Sequence, residues 1–264
     1  VTDMTTTDRT RGIWTLGDYG EFATAFTSVA ETLCDDAGIR SGDDVLDVAT
    51  GAGNVALAAA RRGAATSALD LTPRMLELAR ARAGREGLEV DWVEGDAEDM
   101  PLPDGAFDAV LSACGVMFVP HPDVAVREIR RVLRRRGTVA LATWTPDGYW
   151  GATTEICKRW LGPDTSGPEP NEWGREDVCR RRLEPHFDGV RCERRTATWR
   201  FDSPEDACRW VFRFSPPHVA ALLALPGDDG AALVAEVEDY TRREANGDGR
   251  SMDIPFLVAT GRAV

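Results

Sequence analysis

The chain has 264 residues, 43% hydrophobic and 28% charged, a balance suited to one sizeable core or a core with a lobe. Its net charge of −13 argues against nucleic acid as a partner, because such binding relies on Lys and Arg neutralising phosphates. There is no apolar run of about 18 residues, so no membrane span is expected. The opening stretch VTDMTTTDRTRG is polar, lacks the apolar segment of a secretory signal and reads as a frayed tail. Six cysteines without a C-x-x-C pair, together with three histidines, predict no metal site and no disulfide scaffold, and with them a cytoplasmic setting.

Residues 20–37 place Phe22, Phe26, Val29, Ala30 and Leu33 on one helical face, with Gly38 as the stop. DVLDVA then reads as a buried strand, and NVALAAARR as a helix closed by Gly63. ATSALDL is a second strand. TPRMLELARARAG is a helix opening on Thr72 and Pro73. LEVDWVE, FDAVLSA and TVALATW supply strands three to five. The third and fourth are joined by the turn-rich GDAEDMPLPDGA, and the fourth and fifth by the helix DVAVREIRRVLRRR, which ends at Gly137. Strands alternating with helices in this way predict a parallel sheet covered on both faces.

Beyond Trp144 the pattern changes. Pro and Gly accumulate in LGPDTSGPEPNEWG, and VRCERRTATWRF reads as a more exposed strand. SPEDACRWVFRF and GAALVAEVEDYTRREA read as helices, and MDIPFLVATGRAV as a closing strand. Six of the eight tryptophans lie from Trp144 onward, enough to line a pocket for a flat apolar molecule as well as to fill a core.

The sharp turn after the first strand carries Gly51 and Gly53. At the carboxyl end of a strand in such a sheet ligands bind in the crevice, and a residue without Cβ lets them approach the backbone. The next helix presents free N–H groups there. GAGNVA fits G-x-G-x-x-[GA], and Asp70 follows at the end of strand two, an arrangement suited to a nicotinamide or flavin dinucleotide. That alternative, an NAD(P)-dependent oxidoreductase, has no use for Asp47, four residues before Gly51.

LDVATGAG resembles the first motif of class I S-adenosylmethionine-dependent methyltransferases, D/E-x-G-x-G-x-G, in the branch similar to ubiquinone and menaquinone methyltransferases. Ala49 stands where the first glycine is usual. The resemblance continues through ALDLTPRML, EGDAEDMPLPDGAFDAV and REIRRVLRRRGTVALATW, with Arg136 in place of a proline, and spans about Val45 to Trp144. It implies S-adenosylmethionine as cofactor. Asp47 would face the cationic methionine end, Asp70 the ribose diol, and Asp96 with Ala97 the adenine. Ala49, Gly51, Gly53, Leu71, Met75, Ala113 and Cys114 would line the site, and Tyr19, beside Trp14, would lie under an N-terminal lid.

The fold implied is α/β: a Rossmann-like, seven-stranded, doubly wound sheet with the last strand antiparallel, plus a helical cap over the acceptor site. Residues 1–40 would form a tail and lid helix, 41–145 the cofactor-binding core, and 146–264 the remaining strands with the cap, all in one domain. The reaction implied is in-line methyl transfer to a small molecule, aromatic or a quinone-, indole- or natural-product-like acceptor of secondary metabolism, with no nucleic acid or membrane partner. His121 in FVPHPD and His218 in SPPHVAALL are the candidate bases. Cys114 reads as a backbone contact or small buried hydrophobe rather than a nucleophile. A second alternative is a regulator that retains the cofactor without turnover.

Overall fold

The computed structural model describes residues 6–162 and 169–264, the first four of them by backbone alone. Part of the Pro- and Gly-rich stretch, residues 163–168, lies outside the described residues. The chain opens with α1 (Thr6–Trp14), α2 (Tyr19–Thr24) and α3 (Thr27–Ala37). It then alternates: β1 (Asp44–Val48), α4 (Asn54–Arg61), β2 (Ala65–Asp70), α5 (Pro73–Glu86), β3 (Asp91–Glu94), β4 (Phe107–Ala113), α6 (Pro122–Val132) and β5 (Leu133–Trp144). After these come α7 (Tyr149–Leu161), α8 (Glu176–Leu183), β6 (Phe187–Arg200), α9 (Pro204–Phe214), α10 (Pro216–Ala224), α11 (Asp228–Glu244) and β7 (Ser251–Ala263).

The strands form one sheet in the order β3-β2-β1-β4-β5-β7-β6. β1 pairs in parallel with β2 and β4, so the strand order reverses beside it and a crevice opens at its carboxyl end. β7 runs antiparallel to both β5 and β6. This is the doubly wound sheet with an antiparallel last strand that the sequence predicts. Val45, Leu46 and Val48 of β1 and Val110 and Leu111 of β4 are fully buried, as strands covered on both faces must be. A second, smaller core joins Ile156 of α7, Cys208 and Phe212 of α9, Ala221 of α10, and Leu233 and Val237 of α11 into the helical cap.

Three local features differ from the sequence reading. The described part of the polar tail forms α1, held down by Arg11 Nε donating to the Leu71 carbonyl at 3.2 Å and by the Trp14 ring against Phe118 at 4.8 Å. The single helix expected over 20–37 breaks at Ala25 and Phe26, where Phe26 leaves helical geometry at φ −122. The break lets Phe22 stack on Trp210 at 5.4 Å while Phe26 meets Trp144 at 5.2 Å. The helix expected to run to Gly137 ends at Val132, and β5 begins at Leu133. Arg134 there bridges Asp44 and Asp108, each at 2.6 Å, and ties the strand start to its neighbours.

Candidate active site

Asp47, next to last in β1, lies in the core and is 1% exposed. Its Oδ2 accepts from Thr50 Oγ1 at 2.5 Å and from the backbone N–H of Ala56 at 2.9 Å. The carboxylate thus shapes the turn and satisfies one free donor at the start of α4. Its Oδ1 has no hydrogen-bond partner. Burial pushes the Asp47 pKa up from 3.8 to about 7, against the pull of the two hydrogen bonds. An unpaired buried carboxylate oxygen is costly, and a cationic ligand group would supply the missing partner.

The turn itself needs its glycines. Gly51 has φ +54, and a Cβ there would stand 2.8 Å from Cε1 of Tyr19. Gly53 has φ +86, and a Cβ there would press on Ala79 of α5 at 3.0 Å. The backbone N–H of Gly51 donates to Asp70 Oδ2 at 2.8 Å, and that of Thr72 to Asp70 Oδ1 at 2.9 Å. Each oxygen of this buried carboxylate keeps a further lone pair, the arrangement that suits a vicinal diol. Burial raises the Asp70 pKa above the ordinary carboxylate value.

Two adjoining cavities meet at this turn. The smaller, about 80 Å³, is lined by Ala49, Gly51, Asp70, Leu71, Met75, Asp96, Ala97 and Cys114. The larger, about 420 Å³, runs from Asp47, Ala113 and Cys114 to an aromatic wall of Phe22, Phe26, Trp144 and Trp150. Thr10, Trp14 and Tyr19 line both, so α1 and the start of α2 roof the whole site. The half-buried Tyr19 packs edge-on against Trp14 at 5.6 Å. Burial, with Cys114, Asp70 and Asp47 nearby, pushes its phenol pKa well up.

Asp96 Oδ1 accepts from the Glu98 N–H at 2.9 Å, which fixes the turn that presents Asp96 and Ala97. Cys114 adopts φ +55, and its N–H donates to the Ala142 carbonyl at 2.7 Å. Burial pushes its thiol pKa up, which makes it a poor nucleophile. All the residues expected around the cofactor except Gly53 line one or both of these cavities; Gly53 instead lets the turn pack against Ala79 of α5.

The two histidines part company. His121 lines neither cavity; it stands at the start of α6 with its side chain 69% exposed. Its Nδ1 lies 2.7 Å from Glu98 Oε2 and its backbone N–H donates to Glu98 Oε1 at 2.6 Å. It therefore braces the turn carrying Asp96 from outside. His218 is 2% exposed and lines the large cavity. Both its ring nitrogens are engaged, with Ser215 Oγ at 2.8 Å and Thr153 Oγ1 at 3.0 Å.

Sequence reasoning missed the support behind the turn. Arg82 of α5 donates to the Ala52 carbonyl at 2.6 Å and to Asn54 Oδ1 at 2.8 Å, and Asn54 Nδ2 donates to the Ala23 carbonyl of α2 at 2.8 Å. Nothing in the run ARARAGR distinguishes Arg82 from its neighbours. It also missed Ser215 and Thr153, hydroxyls in segments without a motif.

Residues 46–141 match the family model described as a methyltransferase domain. Across 259 residues the chain is 39% identical to the protein named Uncharacterized protein Rv1403c of Mycobacterium tuberculosis, covering 96% of this chain and 93% of that protein. A demethylmenaquinone methyltransferase of Thermus thermophilus is 41% identical over 104 residues, which is 39% of this chain and 47% of that protein. The crystal structure of the YcgJ protein of Bacillus subtilis shares the fold, with a TM-score of 0.58 at 21% identity over 89% of this chain and 98% of that one. The chain carries a methyltransferase domain over residues 46–141, for which the resemblance read in its motifs implies S-adenosylmethionine as cofactor. The unpartnered Asp47 oxygen, the two-handed Asp70 and the glycine turn fit that molecule. No helix among the described residues is long and apolar enough to cross a membrane.

Proposed function

We propose that the chain transfers a methyl group to a small, flat, largely apolar acceptor, an aromatic, indole- or quinone-like compound of secondary metabolism. The observation that carries this reading is the large cavity, which starts at Asp47 and ends on Phe22, Phe26, Trp144 and Trp150. A cavity of this size and lining suits a planar molecule lying beside the methyl donor. All six cysteines are free thiols, in keeping with a cytoplasmic setting.

In this reading Asp47 holds the ammonium of the methionine portion, Asp70 the ribose hydroxyls, and Asp96 and Ala97 the adenine edge. Ala49, Gly51, Leu71, Met75, Ala113 and Cys114 shape the walls, Gly53 permits the turn behind them, and Tyr19 closes the roof with Trp14. When bound, S-adenosylmethionine supplies an electrophilic methyl on a cationic sulfur. The chain's own residues contribute alignment and exclusion of water, through the aromatic wall and the α1–α2 roof. His121 acts as a brace. His218, with both nitrogens engaged, has no free position from which to take an acceptor proton directly.

The test begins with calorimetric titration by S-adenosylhomocysteine beside NAD⁺, followed by radiolabelled methyl transfer to indole, catechol and 1,4-dihydroxynaphthoate. Binding of S-adenosylhomocysteine alone and label in an aromatic product are expected. Binding without label in any aromatic acceptor would favour a regulator over an enzyme of this specificity.

A further inference from the structure

We infer that Ser215 reads a hydroxyl group on the acceptor, and that His218 and Thr153 hold its side chain in the state that does so. This rests on the reading of the large cavity as the acceptor chamber. Ser215 and His218 line that cavity, and Thr153 stands behind them, wholly buried in α7.

The proton positions follow from the partners. Thr153 Oγ1 lies 2.9 Å from the carbonyl oxygen of Tyr149. A carbonyl cannot donate, so the hydrogen on that line belongs to the threonine. Thr153 therefore turns a lone pair toward Nε2 of His218, 3.0 Å away, and Nε2 carries the hydrogen. Burial lowers the imidazole pKa from 6.5 to about 4, so the ring is neutral and Nδ1 is bare. The hydrogen between Nδ1 and Ser215 Oγ, 2.8 Å apart, is then the serine's own. Ser215 has only lone pairs left to offer.

Those lone pairs have no structural employment. Ser215 is the residue before α10, where a serine oxygen normally accepts from a backbone N–H in the first turn. Here the next two residues are Pro216 and Pro217, which have no N–H, and the N–H of His218 goes to the Ser215 carbonyl at 3.0 Å. Accordingly Ser215 makes no side-chain cap bond. Ser203, at the same position before α9, does cap: its oxygen accepts from the Asp206 N–H at 3.1 Å. The Pro-Pro pair thus releases Ser215 from capping, and the His218–Thr153 chain commits its proton. What remains is an acceptor-only oxygen in a chamber wall that also carries Thr154, Lys158, Glu169 and Asn171. A hydroxyl satisfies it, whereas a methyl ether brings no hydrogen and sets oxygen against oxygen.

The experiment uses the full chain saturated with S-adenosylhomocysteine at neutral pH and titrated with 2-naphthol and with 2-methoxynaphthalene. The intact protein should prefer the naphthol by about tenfold, the size of one hydrogen bond of about 1.4 kcal/mol. Ser215→Ala should bring the two close to parity. Thr153→Val should also erode the preference, because a ring freed at Nε2 can protonate Nδ1 and turn the serine hydrogen toward the chamber. Equal affinities in the intact protein, no binding of either probe, or a preference that survives both substitutions would overturn the inference. S-adenosylhomocysteine affinity serves as the internal control. Its loss in the intact protein counts against the cofactor-site reading, and its retention without discrimination between probes counts against Ser215 alone.

Discussion

Ala49 occupies a position where the backbone asks for glycine. It adopts φ +53, a left-handed conformation that costs an L-residue about 1–2 kcal/mol. Its methyl group is accommodated because Gly115 stands opposite, where a Cβ would lie 2.6 Å from it. Ala49→Gly removes the strain but adds about 0.4–1 kcal/mol of unfolded-chain entropy. A net gain of about 0.5 kcal/mol is expected in urea unfolding, and a loss of stability would show that the methyl packing outweighs the strain. Asp70 carries a larger stake. Its two oxygens hold the N–H groups of Gly51 and Thr72, so Asp70→Ala removes both the diol partner and a brace of the turn. Affinity for S-adenosylhomocysteine should fall by about tenfold to a hundredfold, from about 1.5–3 kcal/mol for hydrogen bonds to a charged group. An unchanged calorimetric constant would remove Asp70 from the ribose site. The acids were legible in the sequence because each ends a strand or follows one, where spacing and order carry the signal. His121 was misread because proximity to strand four says nothing of direction, and Glu98 draws its ring outward.

At the scale of elements, legibility follows exposure. β1 to β5 and the helices between them bury one side or both in a regular pattern, so their periods survive in the sequence. α7 buries Tyr149, Trp150, Thr153, Ile156 and Cys157 at helical spacing, but it mixes hydroxyls with rings because it forms cavity wall as well as core, and that blurs its apolar stripe. α10 is short, begins with two prolines and buries His218, which masks it in the same way. α1 was hidden for the opposite reason: its sequence is polar, and it is held by contacts across the roof. Among them, Arg11 donates to the Leu71 carbonyl at 3.2 Å and faces Glu94 at 3.9 Å. The ion pair is exposed and worth little. The hydrogen bond ties α1 to Leu71, a residue that lines the smaller cavity. Arg11→Ala should therefore speed release of S-adenosylhomocysteine by roughly threefold to tenfold, from about 0.5–1.5 kcal/mol for one hydrogen bond. Stopped-flow dissociation measures this directly, and an unchanged rate would mean that α1 is not the element that opens.

Across the whole molecule, two buried groups pull the pH dependence of stability in opposite directions. The folded state raises Asp47 from 3.8 to about 7, so between those values the native protein holds a proton that the unfolded chain has released. Stability from this group falls as pH rises through that window, by about 1.4 kcal/mol per pH unit at the steepest. The folded state lowers His218 from 6.5 to about 4, so between those values the unfolded chain holds the extra proton. Stability from this group rises with pH, at the same maximum slope. The windows overlap from about pH 4 to 6.5, so the two slopes largely cancel there. Asp70, raised by burial like Asp47, adds a downward tilt. The ion-paired carboxylates Asp108 and Glu128 are lowered instead, so their contribution is lost as pH falls below their ordinary values, at the acid end of this range. The intact protein should therefore show a shallow profile that hides two steep ones, and single substitutions should separate them. Asp47→Asn leaves His218 opposed only by Asp70, so its unfolding midpoint should climb with pH relative to that of the intact protein through this window. His218→Gln leaves Asp47 unopposed, so its midpoint should decline. Thermal unfolding of the two variants at constant ionic strength provides the comparison. Divergent slopes mean that the two ends of the large cavity are balanced against each other in the empty protein. Parallel slopes would mean that at least one of these groups meets enough water in the folded state to keep its ordinary affinity for protons.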